Sequence, residues 1–159
     1  MIQITDNFLP KESFDELQSA LLSYDFPWNF SNRRAKKDDG DFQFVHIFHA
    51  FANSSQHIPI LGKLLDTINP KALVRIKANL TTLRPEIVTD EVYHVDMHFE
   101  CTTGIFYVNT TNGQTIFESG EKVDCIENRY VSFPSQLKHG ATLHDDNVRR
   151  VVINFNYFK

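Results

Sequence analysis

The stretch RVVINFNYF, residues 150–158, alternates along its length between two kinds of side chain. In an extended chain successive side chains point to opposite faces. Val151, Ile153, Phe155 and Tyr157 then share one face, and Arg150, Val152, Asn154 and Asn156 share the other. An unpaired buried charge costs about 3–5 kcal/mol, so the second face must meet either solvent or a polar pocket. The same texture runs back through the chain. LVRIKANL (73–80), GIFYVN (104–109), QTIFES (114–119) and RYVSFPS (129–135) are short, rich in β-branched and aromatic residues, and separated by turn formers. Asn112-Gly113 and Ser119-Gly120 read as hairpin points. Evenly spaced short strands of this kind predict an antiparallel sandwich or barrel.

The first part of the chain reads differently. Phe14, Leu17, Leu21 and Leu22 recur at helical spacing over residues 11–24, with Pro10 near the start, where its missing N–H is harmless. Residues 59–68 predict a second helix, closed by Asn69 and Pro70. Residues 42–51 mix aromatics with His and read as a strand. NFSNRRAKKDDGD (29–41) carries charge of both signs and reads as a loop, either a lid over a substrate or ordinary solvated chain. The fold class expected is therefore mainly β with flanking helices. It is a jelly roll with N-terminal helices packed on one sheet. A length of 159 residues suits a single domain over 1–159, with helical and loop support over about 1–72 and the β core over about 73–159.

Composition narrows the function. Fourteen Phe residues supply large apolar areas for a compact core. No apolar run approaches the roughly 20 residues of a membrane span, so no membrane partner is expected. The opening MIQITDNFLPKESFDEL lacks the basic-then-apolar plan of a signal peptide. Cys101 and Cys125 read as free thiols in a reducing cytoplasm. A formal charge of -4 argues against a nucleic-acid partner, while a local basic groove around Arg33, Arg34, Lys36 and Lys37 keeps one open.

Chemistry enters at Tyr93-His94-Val95-Asp96. If this segment is extended, His94 and Asp96 face the same way and offer two adjacent metal ligands. A third imidazole from elsewhere would complete a face of two His and one carboxylate, the pattern that serves non-haem iron(II) and leaves positions open. Alone, an HxD tripeptide arises often by chance, and its plain reading is a surface His beside a solvated Asp. Its context is FPSQLKHG (133–140), which brings His139, and then Arg149-Arg150 about ten residues on. An Arg fork on a strand facing the same cavity suits a dicarboxylate.

In this order the landmarks resemble the catalytic core of 2-oxoglutarate/iron(II) oxygenases, especially small prolyl-4-hydroxylase-like members. That family carries HxD, then T-x-I-x-Y-L-N, G-G-x-T-x-F, F-x-x-x-x-x-H-G and an Arg. This chain has His94-Val95-Asp96, TGIFYVN (103–109), NGQTIF (112–117), Phe133 through His139-Gly140, and Arg150. The resemblance spans residues from about 75 to the C-terminus. It implies a double-stranded β-helix, Fe(2+) held by His94, Asp96 and His139, and 2-oxoglutarate and dioxygen as co-substrates. Arg150 would bind the distal carboxylate of 2-oxoglutarate, with Arg149 taking its place if the register slips by one. Asn79 resembles the Asn of the N-x-Y element in related alkylated-base demethylases, where it contacts the co-substrate; Thr81 stands where Tyr would be. Phe106 occupies a place where several relatives have a Tyr bonded to the co-substrate, which leaves Asn79 or Thr115 to replace it.

The reaction implied is hydroxylation of a C–H bond, with succinate and carbon dioxide released. The nearest likeness suggests a prolyl residue in a peptide or protein, and a small molecule stays open. Two other readings stand beside it: a nucleobase- or nucleotide-modifying oxygenase, and a catalytically silent jelly-roll binding module. The remaining histidines have plainer expectations. His98 falls past the strand end and reads as solvated, His144 as surface, and His46 and His49 as decoration of a sheet.

Overall fold

A computed structural model describes residues 1–34, 41–84 and 93–159. Strand β1 (Gln3–Thr5) precedes helix α1 (Lys11–Leu22), followed by β2 (Asn29–Ser31), β3 (Gln43–Ala50) and β4 (Asn53–Ser54). A 3-10 turn over Ile58–Leu61 runs into helix α2 (Gly62–Ile68). The rest is strand: β5 (Ala72–Thr82), β6 (Thr102–Tyr107), β7 (Gln114–Phe117), β8 (Lys122–Asp124), β9 (Arg129–Pro134), β10 (His139–Ala141) and β11 (Arg149–Phe158).

Among the described residues the strands form two antiparallel sheets. The larger has eight strands in the order β1-β9-β6-β11-β5-β3-β2, with β4 on β3; the smaller is β10-β7-β8. This is a jelly roll, and the mainly β class with two helices stands. Residues 1–72 contribute four strands to the larger sheet as well as both helices.

The α1 sequence buries Phe14, Leu17 and Leu21, one stripe at helical spacing. Helix α2 stops at Asn69, whose φ of 51° is left-handed. Asn tolerates that region better than other non-glycine residues, and Pro70 cannot continue the helix. Strand β11 lies between β5 and β6 and sorts its side chains as its alternation predicts. Val151, Ile153, Phe155 and Tyr157 join Phe14, Leu17, Leu21, Leu61 and Leu64 in one apolar cluster. Val152 joins a second cluster with Ile105, Tyr107, Phe117, Val123 and Phe133, drawn from both sheets. Each fully buried Ile or Phe contributes roughly 1.5–3 kcal/mol by leaving water. The two clusters hold both faces of the central strands in register, because a slip of one residue would exchange the faces.

Three local expectations need correction. Asn29–Ser31 is not loop: it pairs with Gln43–Phe44–Val45 as edge strand β2, since β3 presents an open edge that takes up the free backbone groups. Residues 35–40 of that stretch lie outside the described residues. Asn112-Gly113 is not a hairpin, because β6 belongs to the larger sheet and β7 to the smaller, so the chain crosses between sheets there. Ser119-Gly120 does close a hairpin, β7–β8, with Gly120 at φ +98°. His46 is not decoration: it is 6% exposed and its ring nitrogens meet Pro27 O at 2.9 Å and Ser55 Oγ at 3.0 Å.

Gly104 on β6 marks a close approach. A Cβ there would overlap Tyr130 Oη and stand 2.6 Å from its Cζ. Tyr130 cannot swing aside easily, for its ring stacks on Phe8 with centroids 4.5 Å apart and its hydroxyl donates to Tyr157 Oη at 3.1 Å. Gly104→Ala should therefore lose about 1–3 kcal/mol of stability, the usual cost of overpacking. The denaturant midpoint checks this, and an unchanged midpoint would show that the ring relocates freely.

Candidate metal centre and its cavity

His94 and His139 are brought together by backbone. Each donates its N–H to the other's carbonyl, at 2.9 and 3.0 Å, in an isolated antiparallel bridge. The expected strand through His94 and Asp96 is reduced to that one bridge, yet both side chains reach the same cavity. The two rings lie 4.7 Å apart, centroid to centroid. His94 Nε2 is 3.9 Å from Asp96 Oδ1, and His139 Nε2 is 4.0 Å from Asp96 Oδ2. These are too long for hydrogen bonds. One donor atom from each of the three residues falls within 4.8 Å of the others. His139 Nδ1 lies 3.0 Å from Leu137 O. Donation there fixes the tautomer that leaves the Nε2 lone pair facing Asp96. The donor set suits a divalent first-row ion with open positions.

Asp96 is held from several sides. Oδ1 accepts from Arg75 Nη2 at 3.2 Å, while Oδ2 accepts from Thr103 Oγ1 at 3.2 Å and Asn156 Nδ2 at 3.1 Å. Burial by itself would raise the carboxyl pKa. His139, Arg75, the Asn156 hydrogen bond and His94 outweigh it and hold the group below its usual range. Arg75 Nε also donates to Asn156 Oδ1 at 3.1 Å, which orients both supports. Hydrogen bonds behind a metal ligand typically carry about 10–100-fold in metal affinity. Asn156→Ala should weaken iron(II) binding by about tenfold on this scale, as read by anaerobic titration. An unchanged affinity would mean that Arg75 and Thr103 suffice.

The triad opens on a cavity of about 290 Å³. Arg150 lines it and Arg149 does not. Arg150 is 5% exposed and stands opposite Thr81; its guanidinium carbon is 5.9 Å from the Tyr107 ring centre. Its Nε is buried with no hydrogen-bond partner. Asn79 also lines the cavity, opposite Val152. Phe106 is corrected: it faces the helices, against Phe8 and Phe14. Alternation turns Tyr107 the other way instead, where its hydroxyl pairs with Thr115 Oγ1 at 2.7 Å and burial pushes its pKa up to about 12. A neutral phenol thus sits beside Arg150. His98 is exposed as expected. His144 is not at the surface: it is fully buried. Burial and the charge of Arg150 lower its pKa. Arg34, from the stretch read as loop, lines the cavity and donates to Ala141 O at 3.0 Å.

Arg75, Lys77, Thr103 and Asn156 were not singled out as site residues by sequence. The signal for the first two was present: Arg75, Lys77, Asn79 and Thr81 alternate with Ile76, Ala78 and Leu80, the polar face of one strand.

No protein-family model matches the sequence, and no curated protein matches it. Solved structures do. A prolyl hydroxylase from Trichoplax adhaerens, in complex with a peptide fragment of the hypoxia inducible factor oxygen degradation domain, superposes with a TM-score of 0.69 at 17% identity, covering 99% of this chain and 83% of that one. A prolyl-4-hydroxylase from Pseudomonas putida gives 0.61 at 13% identity, covering 99% and 92%. The viral collagen prolyl hydroxylase of Paramecium Bursaria Chlorella virus-1, in its 2-oxoglutarate complex, gives 0.62 at 12% identity, covering 99% and 96%. The fold is the double-stranded β-helix of 2-oxoglutarate/iron(II) oxygenases. Likeness at these identities speaks for the fold, and the chemistry rests on this chain's own residues.

Proposed function

We propose that this protein is an iron(II)- and 2-oxoglutarate-dependent dioxygenase that hydroxylates a C–H bond, acting as one unit over residues 1–159. The observation that carries the reading is a single cavity holding His94, Asp96 and His139 together with the buried, unpaired Arg150. A guanidinium that lines a cavity with its Nε buried, and with no acid partner among the described residues, calls for an anion, and its fork suits a carboxylate. His94, Asp96 and His139 would hold Fe(2+). Arg150 would take the distal carboxylate of 2-oxoglutarate, and Asn79 would hydrogen-bond the same molecule. Tyr107 and Thr115 would stay locked behind them, keeping that end of the cavity free of water. When bound, iron with 2-oxoglutarate and dioxygen supplies the oxidising power for hydroxylation, with succinate and carbon dioxide as co-products.

The cavity is at the small end of the roughly 300–1,000 Å³ usual for ligand pockets. It suits the co-substrate and one small reacting group rather than a whole macromolecule. The prolyl hydroxylases of the same fold suggest a prolyl residue of a peptide or protein as that group. Among the described residues no helix is long and apolar enough to cross a membrane. The unpaired thiols Cys101 and Cys125 fit a cytoplasmic setting.

The test is anaerobic titration with iron(II) and 2-oxoglutarate, followed by succinate assay under air. Wild type should bind one iron, bind 2-oxoglutarate in its presence and release succinate; His94→Ala should do none of these. Protein that binds neither iron nor 2-oxoglutarate would leave a binding module in place of an enzyme.

A further inference from the structure

Among the described residues four cationic side chains line the cavity, Arg34, Arg75, Lys77 and Arg150, against the single carboxylate of Asp96. Three have work that the structure or the proposed function accounts for. Arg34 pairs with Asp41 at 3.0 Å, Arg75 with Asp96 at 3.2 Å, and Arg150 is the group assigned to 2-oxoglutarate. Lys77 is left over. It is half-buried on β5, and among the described residues no carboxylate or hydrogen-bond acceptor engages its ammonium group. Asp96 is close enough to act on Lys77 electrostatically, but its oxygens are occupied by Arg75, Thr103 and Asn156.

A second unmet group stands directly across from it. Lys77 pairs in register with Asn154 on β11, and Asn154 also lines the cavity. Asn154 Oδ1 is buried with no hydrogen-bond partner. Buried polar atoms are nearly always satisfied, so such an orphan acceptor needs an explanation. Along the same two strands, Asn156–Arg75 follows this pair on one side, and Val152–Asn79 and then Arg150–Thr81 follow it on the other. Lys77 and Asn154 therefore lie towards the metal end and away from Arg150. A cation and an orphan acceptor face each other where a substrate would approach the triad.

We infer that Lys77 and Asn154 form a substrate subsite, which selects compounds carrying a carboxylate beside an N–H or O–H donor. The ammonium takes the carboxylate, and Asn154 Oδ1 accepts from the donor. One unpaired lysine balances one negative charge, which favours a carboxylate over a phosphate dianion. Burial, followed by the charge of Arg75, lowers the Lys77 pKa to about 8. The side chain therefore remains mostly protonated at neutral pH, and an entering anion relieves the unfavourable burial of its charge. The substrate class is thus an acylated amino acid or a peptide bearing a carboxylate close to the oxidised carbon. This rests on the dioxygenase reading above.

The probe is N-acetylglycine, compared with the neutral N-acetylglycinamide, titrated anaerobically into protein loaded with iron(II) and 2-oxoglutarate. Wild type should bind the acid at least about tenfold more tightly than the amide. Lys77→Met should abolish that preference, and Lys77→Arg, which keeps the charge, should retain it. A third probe, the α-amide of N-acetylaspartic acid, whose side-chain carboxylate is its only ionised group, separates an acidic side chain from a chain-terminal carboxylate as the natural source. Equal binding of acid and amide to wild type would overturn the inference. So would a Lys77→Met variant that loses affinity for 2-oxoglutarate and not for the acid, since Lys77 would then serve the co-substrate. Failure to load iron and 2-oxoglutarate at the outset would instead overturn the dioxygenase reading itself, so the two failures are distinguishable.

Discussion

Asp96→Ala is expected to abolish iron(II) binding and succinate formation together. The carboxylate is the only anionic ligand the triad offers, and its loss leaves two neutral imidazoles facing a divalent ion. The effect should exceed the roughly 10–100-fold that follows loss of a supporting hydrogen bond. Asp96 is also the acceptor for Arg75, Thr103 and Asn156, so the variant leaves three donors without it. A melting curve must accompany the titration to separate lost metal from lost fold. Asp96→Asn keeps the volume and one acceptor oxygen, and it should melt closer to wild type while still binding iron poorly. Iron binding of near wild-type strength in Asp96→Asn would remove this carboxylate from the proposed ligand set.

The second large effect is expected at Arg150. Truncating one partner of a buried charged pair costs about 2–5 kcal/mol, and each 1.4 kcal/mol is a factor of about ten. Arg150→Leu should therefore weaken 2-oxoglutarate binding by about 30-fold or more, read as a raised KM in the succinate assay. Stability should move the other way from what a buried arginine usually suggests. Its Nε has no partner in the ligand-free chain, so replacing it removes an unsatisfied charge and should leave the melting temperature unchanged or higher. Wild type should instead gain stability as 2-oxoglutarate is added with iron, by the usual linkage of ligand to the native state. Arg150→Leu should lose that gain at the same concentration. A variant with unaltered KM would move the carboxylate site to another cation, with Lys77 the first to test.

Much of the fold was legible because it depends on short-range alternation. Strands β5, β6, β7, β9 and β11 each overlap a stretch singled out by its β-branched and aromatic content. The strands missed, β1, β2, β4, β8 and β10, have two or three residues each. So few residues cannot show a period, and they become strand only because a longer neighbour supplies the backbone partners. The hairpin expected at Asn112-Gly113 failed for a related reason. Turn chemistry says that the chain bends, and only the pairing of β6 with β9 and β11, and of β7 with β8 and β10, says that it bends into another sheet. Phe106 and Tyr107 show the same limit from another side. Adjacent aromatics must face opposite ways, but the sequence does not say which one meets the helices.

What the sequence by itself determined was the set of chemical groups and their local phase. His94, Asp96, His139 and Arg150 were singled out by the resemblance that the order of their motifs carries, and alternation already put Arg150 and Asn154 on one face of β11. What only the tertiary structure decided was mutual distance and partnership. The His94–His139 bridge joins residues 45 positions apart. The hydrogen bonds of Asp96 to Arg75 and Asn156 span 21 and 60 positions. The satisfied state of Arg75 and the unsatisfied states of Lys77, Arg150 and Asn154 follow from those pairings. The physical reason is that alternation is set by covalent geometry within a strand. Whether a buried polar atom has a partner depends on which strands meet, and at what register.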